Sequence, residues 1–242
     1  MKKSLFVASA LLLVPTFAAA EVNQPQEIID RPRTTPGGQI TLGADLGMFV
    51  VDTTPIGLGL SGLYGVDDKI EIGVGYGFAL KEFEAKGDLG VRAAYNFLSA
   101  GNLTAAGDIG LGYGFGSEAL APLGLGVEAQ LKLGDQLAVF TPGQQLSIGL
   151  EEPNAIDFGL PVGVAYQAAP NIHVAVQTKV LNIGISETDS GFIFADYLPL
   201  SIGATFSPSN TLDIGASISW LDLTADEGVE HPLLGLHGRL HM

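Results

Sequence analysis

Eleven ionisable side chains sit at alternate positions within glycine-rich, apolar-patterned segments: Asp45, Glu71, Arg92, Asp108, Glu128, Lys132, His173, Lys179, Asp213, His237 and Arg239, with His241 continuing the series. Both signs are present. Gathered on one inner surface, such a set could form a constriction that filters a small polar solute. The same set could instead pair internally and brace that space shut, because buried charges need partners. Beside these residues run glycines on the same beat: Gly57/Gly59, Gly73/Gly75/Gly77, Gly110/Gly112/Gly114 and Gly124/Gly126. Glycine removes side-chain volume, which would leave a wider vestibule lined by backbone. It would equally tolerate sharp curvature of a small sheet.

Other chemistries find less support in the residues. His237 and His241 share a face, but four residues along a strand separate them by about 13 Å, too far to chelate one ion. No metal site and no cofactor is expected. Ser61, Ser147, Ser201, Ser217 and Ser219 are candidate nucleophiles by type, yet none stands in a Gly-x-Ser-x-Gly elbow. His231, with Glu227 and Glu230 close by, is the one place where acid–base chemistry could be sought, and no catalytic residue is expected. Between the patterned segments lie many carboxylates, among them Glu82, Glu84, Glu118, Glu151, Glu152, Glu187, Asp189, Asp222, Asp226, Glu227 and Glu230. A ring of them would favour cations at a channel mouth, or would serve as a solvated, repulsive surface. Their spacing matches no EF-hand loop.

The elements that must position these residues follow from a two-residue beat running from Gln39 to Met242. In Lys69–Leu80, Ile70, Ile72, Val74, Tyr76 and Phe78 alternate with Glu71, Gly73, Gly75, Gly77 and Ala79. Successive strand side chains point to opposite faces. One face is therefore continuously apolar, and the other is glycine or charge. The polar face is too small to fill a water-soluble core. The consistent solution is an inside-out cylinder, an all-β closed antiparallel transmembrane barrel with lipid on its apolar face.

The pattern predicts about twelve strands, at 39–50, 55–65, 69–80, 86–98, 102–115, 121–133, 136–150, 155–168, 171–185, 196–207, 210–222 and 232–242. Thr141-Pro142-Gly143 interrupts the seventh segment, where a bulge or broken strand is expected. Ten strands is the alternative if that segment or the last fails to pair. Tight turns at Val66-Asp67-Asp68, Ser99-Ala100-Gly101, Gly134-Asp135, Ala169-Pro170 and Pro208-Ser209 alternate with mostly longer acidic loops. Short periplasmic turns and long external loops are the expected asymmetry. Aromatics then fall in two girdles: Phe49, Phe78, Tyr113, Phe115, Phe158 and Trp220 near the loops, and Tyr64, Tyr95, Phe97, Tyr166 and Phe206 near the turns.

Residues 1–20 have the form of a secretory signal: Lys2-Lys3, the apolar run Leu5–Val14, and Ala18-Ala19-Ala20 before a cleavage point. Residues 21–38 carry Pro25, Pro32, Pro36 and Gly37-Gly38 without periodicity, and read as a flexible periplasmic N-terminal tail; a partial plug in the barrel mouth is the alternative. Residues 39–242 form the barrel. The chain has no cysteine, 11 basic and 26 acidic residues, and a formal charge of −15. Such a balance argues against nucleic acid. No stretch approaches the roughly 18 uninterrupted apolar residues of a spanning helix.

With signal, alternation, turns and girdles together, the chain resembles bacterial outer-membrane β-barrel proteins as a class, in a porin-like form. Gly101-Asn102-Leu103, Asp135-Gln136-Leu137, Pro170-Asn171-Ile172 and Ser209-Asn210-Thr211-Leu212 resemble the strand starts of that class. The resemblance implies export to the outer membrane of a Gram-negative-type bacterium, lipid as surroundings, and insertion by the barrel-assembly machinery. Members of the class usually end on an aromatic residue, whereas this chain ends Leu240-His241-Met242. The leading functional expectation is a narrow passive channel for small polar or cationic solutes, without enzymatic activity. The alternatives are a closed structural or surface-interaction barrel and, as a minor one, a lipid- or hydrophobe-handling barrel.

Overall fold

The computed structural model describes residue 22 and residues 24–50, 56–80, 87–151, 155–186, 190–191, 198–224 and 231–242. Residues 1–20, read as a signal, lie outside the described residues. The strands are β1 (Ile40–Phe49), β2 (Ile56–Gly65), β3 (Ile70–Ala79), β4 (Asp88–Ala100), β5 (Leu103–Gly114), β6 (Ala119–Leu120), β7 (Leu123–Lys132), β8 (Leu137–Thr141), β9 (Leu146–Ile148), β10 (Ala155–Ala169), β11 (Ile172–Ser186), β12 (Ser190–Gly191), β13 (Leu200–Ser209), β14 (Leu212–Trp220) and β15 (Leu233–His241). β6 and β12 are two-residue extensions paired to β5 and β11. β8 and β9 are the halves of one interrupted strand, both lying between β7 and β10. The result is a twelve-stave antiparallel meander.

β1 pairs with β15 from Thr41↔His241 to Phe49↔Leu233, which closes the sheet on itself. Ile40 and Met242 complete the seam with two reciprocal backbone bonds of 2.8 Å. Closure leaves no edge, which is the condition for a sheet to cross a bilayer. The outer face carries the predicted apolar set: Leu42, Leu60, Ile72, Val74, Val91, Ile109, Val164 and Ile214 are all exposed. Tyr64, Tyr95, Phe97, Tyr166 and Phe206 are exposed around the end that holds the tight turns. At the loop end Tyr113 and Phe115 pack edge to face with centroids 5.2 Å apart, and Tyr76 lies 6.4 Å from Phe115. At the first tight turn the Asp67 carboxylate accepts from Lys69 N and Ile70 N at 2.7 and 2.8 Å.

The interruption between β8 and β9 has a specific cause. Gly163 pairs with Phe140, so continuing that register would set Pro142 opposite Pro161. Neither proline has an N–H to donate, and the ladder cannot proceed. Residues 142–145 leave the wall and turn inward, with Gln144 in a left-handed conformation at φ 58°. Three contacts repair the wall. Thr141 Oγ1 donates to Pro161 O at 2.8 Å. The Gln145 amide replaces a backbone rung on β7, accepting from Val127 N at 2.6 Å and donating to Val127 O at 2.8 Å. On the other side Gly159 N donates to Gln145 O at 2.7 Å.

Asp108, on β5, anchors the inward turn by accepting from Gln144 N at 3.2 Å. Replacing Asp108 by alanine should therefore lower barrel stability by about 0.5–1.5 kcal/mol, the net worth of a half-buried hydrogen bond. Urea unfolding in lipid vesicles would measure it. Asp108→Asn, which keeps an acceptor, should lose less.

Candidate functional site: the lumen

Gly75, Gly90 and Gly112 line both of two adjoining cavities inside the staves. The larger, about 600 Å³, is also bounded by Ser61, Gly73, Gly110, Gly124, Gln144, Ser147, Arg92 and Arg239. The second, about 370 Å³, lies beside Asp45, Gly59, Gly77, Asp88 and Gly114. The glycine beat thus creates empty volume. Part of that volume is taken back by the inward turn, since the Gln144 side chain lies over Gly110 and Gly124.

The sequence-selected residues fall into three groups and several further positions. Glu71, Arg92 and Glu128 come from β3, β4 and β7, and the Arg92 guanidinium reaches Glu71 Oε1 at 3.3 Å and Glu128 Oε1 at 3.1 Å. Asp45 and Arg239 join across the β1–β15 seam at 2.8 Å. Asp213 accepts from Ser207 Oγ at 2.6 Å and meets His241 Nε2 at 2.8 Å, while His241 Nδ1 meets Thr41 Oγ1 at 2.9 Å. Asp108 holds the inward turn. His237 lies 3.2 Å from Thr205 Oγ1. His173 pairs in register with Gln167 and Thr205. Lys179 lies across Gly159. Lys132 pairs with Asp30. No group of three or more His, Asp or Glu is arranged to hold a metal among the described residues. His231 is exposed, and its neighbours Glu227 and Glu230 lie outside the described residues.

The partner of Lys132 exposes a correction. Residues 21–38 read as a flexible periplasmic tail, with a partial plug in the barrel mouth as the alternative, and the structure takes the alternative by running residues 24–38 across the turn end of the lumen. Ile28–Asp30 form a single 3-10 turn, and Ile29 is 1% exposed. Gln167 Oε1 accepts from Ile29 N at 3.2 Å, and Gln130 Nε2 donates to Ile29 O at 2.7 Å. Arg31 grips Asp213 with both terminal nitrogens, Nη2 to Oδ1 at 2.9 Å. Glu71 Oε2 accepts from Thr35 N and Thr35 Oγ1 at 2.8 and 2.7 Å. These partners sit on β3, β7, β10 and β14, so the segment crosses the bore. The physical reason is polar satisfaction: inward Gln130, Gln167 and Asp213 are buried, and buried polar groups find partners. Burial lowers the pKa of Arg33, and the nearby Glu128 charge raises it again.

Sequence reasoning missed Ile29, Arg31, Thr35, Gln130, Gln144 and Gln167 as lumen residues. A signal was present. Gln130 and Gln167 stand on the inward beat of their strands, and Arg31 and Arg33 are two of only 11 basic residues, placed just before the first strand.

This is the closed-barrel fold of bacterial outer-membrane porins. The KdgM porin superposes with a TM-score of 0.56 at 8% identity, covering 82% of this chain and 98% of that chain. The NanC porin gives 0.59 at 10%, covering 82% and 98%. A COG4313 outer membrane channel from Pseudomonas putida F1 gives 0.54 at 12%, covering 86% and 96%. No family model matches the chain, and no curated protein sequence matches it. At such identities the likeness is one of fold.

Arg92→Ala leaves Glu71, whose side chain is 4% exposed, without its cation. The expected loss is about 1–3 kcal/mol, toward the lower end because the Arg92 side chain is itself 31% exposed. Adding Glu71→Gln should recover part of it in the same urea titration.

Proposed function

We propose that this protein is a narrow passive channel for small polar solutes across the outer membrane of a Gram-negative-type bacterium. The observation that carries the reading is the pair of contiguous glycine-lined cavities inside the staves, floored on the turn side by Arg92 and Arg239. A barrel whose only task was structural would have no need to empty this space. Residues 1–20 would direct export, the barrel-assembly machinery would insert the chain, and lipid would cover the apolar belt. Short turns and both termini would face the periplasm. Neither a cofactor nor catalysis is part of the reading. The fold likeness to porins and an outer membrane channel supports it.

The formal charge of −15 and the acidic loops support a mouth that favours cations. At the floor the sign is mixed, because Arg92 faces the cavity with Glu71 and Glu128 against it. Asp45, Glu71, Arg92, Glu128 and Arg239 are accordingly the residues proposed to set selectivity. The second reading, a closed structural barrel, draws on one specific observation, the crossing of the bore by residues 24–38.

In planar bilayers the purified protein should give small conductance steps with a reversal potential on the cation side. Arg92→Ala should shift that potential further toward cations. If neither the whole protein nor a folded barrel lacking residues 24–37 conducts, the channel reading is wrong and the closed barrel stands.

A further inference from the structure

We propose that residues 24–38 are a reversible plug, a built-in gate at the turn end of the channel; the proposal rests on the channel reading above. Three features of the docking argue that the segment can leave and return.

First, its grip is polar. Ile29 is the one apolar side chain of the segment that is fully buried, with Ile28, Pro32 and Pro36 half-buried; the specific contacts that hold it are hydrogen bonds and ion pairs. Gln24 Nε2 donates to Asn210 O at 3.1 Å, and Gln26 Nε2 to Ser207 O at 2.7 Å. Asp30 pairs with Lys132, Arg31 with Asp213, and Thr35 with Glu71. Contacts of this kind exchange with water at modest net cost, whereas a large buried apolar surface would not.

Second, the wall does not depend on the segment. Every pairing between staves and the β1–β15 seam lie outside it, and its bridge to the wall is the contact of Gly37 with Gly65 at the end of β2. The two carboxylates and one of the amides that it uses keep a partner when it goes, while Gln130 and Lys132 exchange theirs for water. Asp213 retains Ser207 and His241. Glu71 retains Arg92. The Gln167 amide nitrogen still donates to Ala169 O at 2.8 Å. No carboxylate is left stranded, which is the cost that would otherwise hold the segment permanently in place.

Third, there is a fitted hinge. The segment turns into the bore beside Gly65, the last residue of β2, where Gly38 N donates to Gly65 O at 2.8 Å. A Cβ at Gly65 would collide with the carbonyl oxygens of Thr35 and Pro36. The position admits only glycine while the segment is docked, and places no such demand when it is out.

The two states make opposite demands on a side chain at 65 and on access to residue 29. In planar bilayers, removal of residues 24–37, or the substitution Gly65→Val, should raise the mean conductance several-fold over that of the intact chain. Heat-modifiable migration in gels would confirm that each variant remains a folded barrel. The chain has no cysteine, so Ile29→Cys offers a single thiol. It should react slowly with a maleimide in the intact barrel. Adding Arg31→Ala should speed the reaction at least about tenfold, the effect of losing its two charge-assisted hydrogen bonds to Asp213. Equal conductance of the intact and shortened folded barrels would overturn the plug and leave the channel standing. An Ile29→Cys reaction rate unmoved by Arg31→Ala would also overturn it. Silence from both barrels would remove the channel, and the gate with it.

Discussion

A polypeptide inside a bilayer must satisfy its backbone hydrogen bonds without help from water. That constraint governs this molecule. It forbids an edge, so β1 must find β15, and the reciprocal bonds between Ile40 and Met242 carry the seam to the chain's last residue. It demands that side chains alternate, apolar outward and small or polar inward. It also explains the repair where the ladder breaks between β8 and β9. With two prolines set to meet, the wall borrows an amide from the Gln145 side chain to serve Val127 on both of its backbone groups.

The interior follows from the same rule with its sign reversed. Outward positions are apolar, so chemistry resides on the inward beat, and that beat is divided along its length. Toward the loops it is glycine, which yields open volume. Toward the turns it is amide and charge, which the N-terminal segment and the wall satisfy together. The inward turn at 142–145 stands between the two regions, held by Asp108. Volume, waist and plug are thus three consequences of how one face of the sheet is composed.

The architecture was legible because it is a local, repeated property. Ile70 to Phe78 alone gives the beat, and the segments read from it match the observed strands to within a few residues, the broken one at Thr141-Pro142-Gly143 included. The lumen was only partly legible. Asp45 with Arg239, and Glu71 with Arg92, sit on neighbouring staves, and register follows from the hairpins and the seam. The docking of residues 24–38 could not be read in that way. It depends on Arg31 meeting Asp213 across a separation of 182 residues, in a segment with no periodicity of its own. Composition described a polar, proline-bearing tail correctly. Only the three-dimensional arrangement of Gln130, Gln167 and Asp213 shows why it is drawn inside.

The most direct test of the account is a single-cysteine scan along β3 in lipid vesicles, with spin labels read by collision with lipid-soluble oxygen. Labels at residues 70, 72, 74, 76 and 78 should be strongly accessible to oxygen, and those at 71, 73, 75 and 77 should not. A profile without that two-residue alternation, or with its phase inverted, would contradict the assignment of an apolar outer wall around a glycine-and-charge interior.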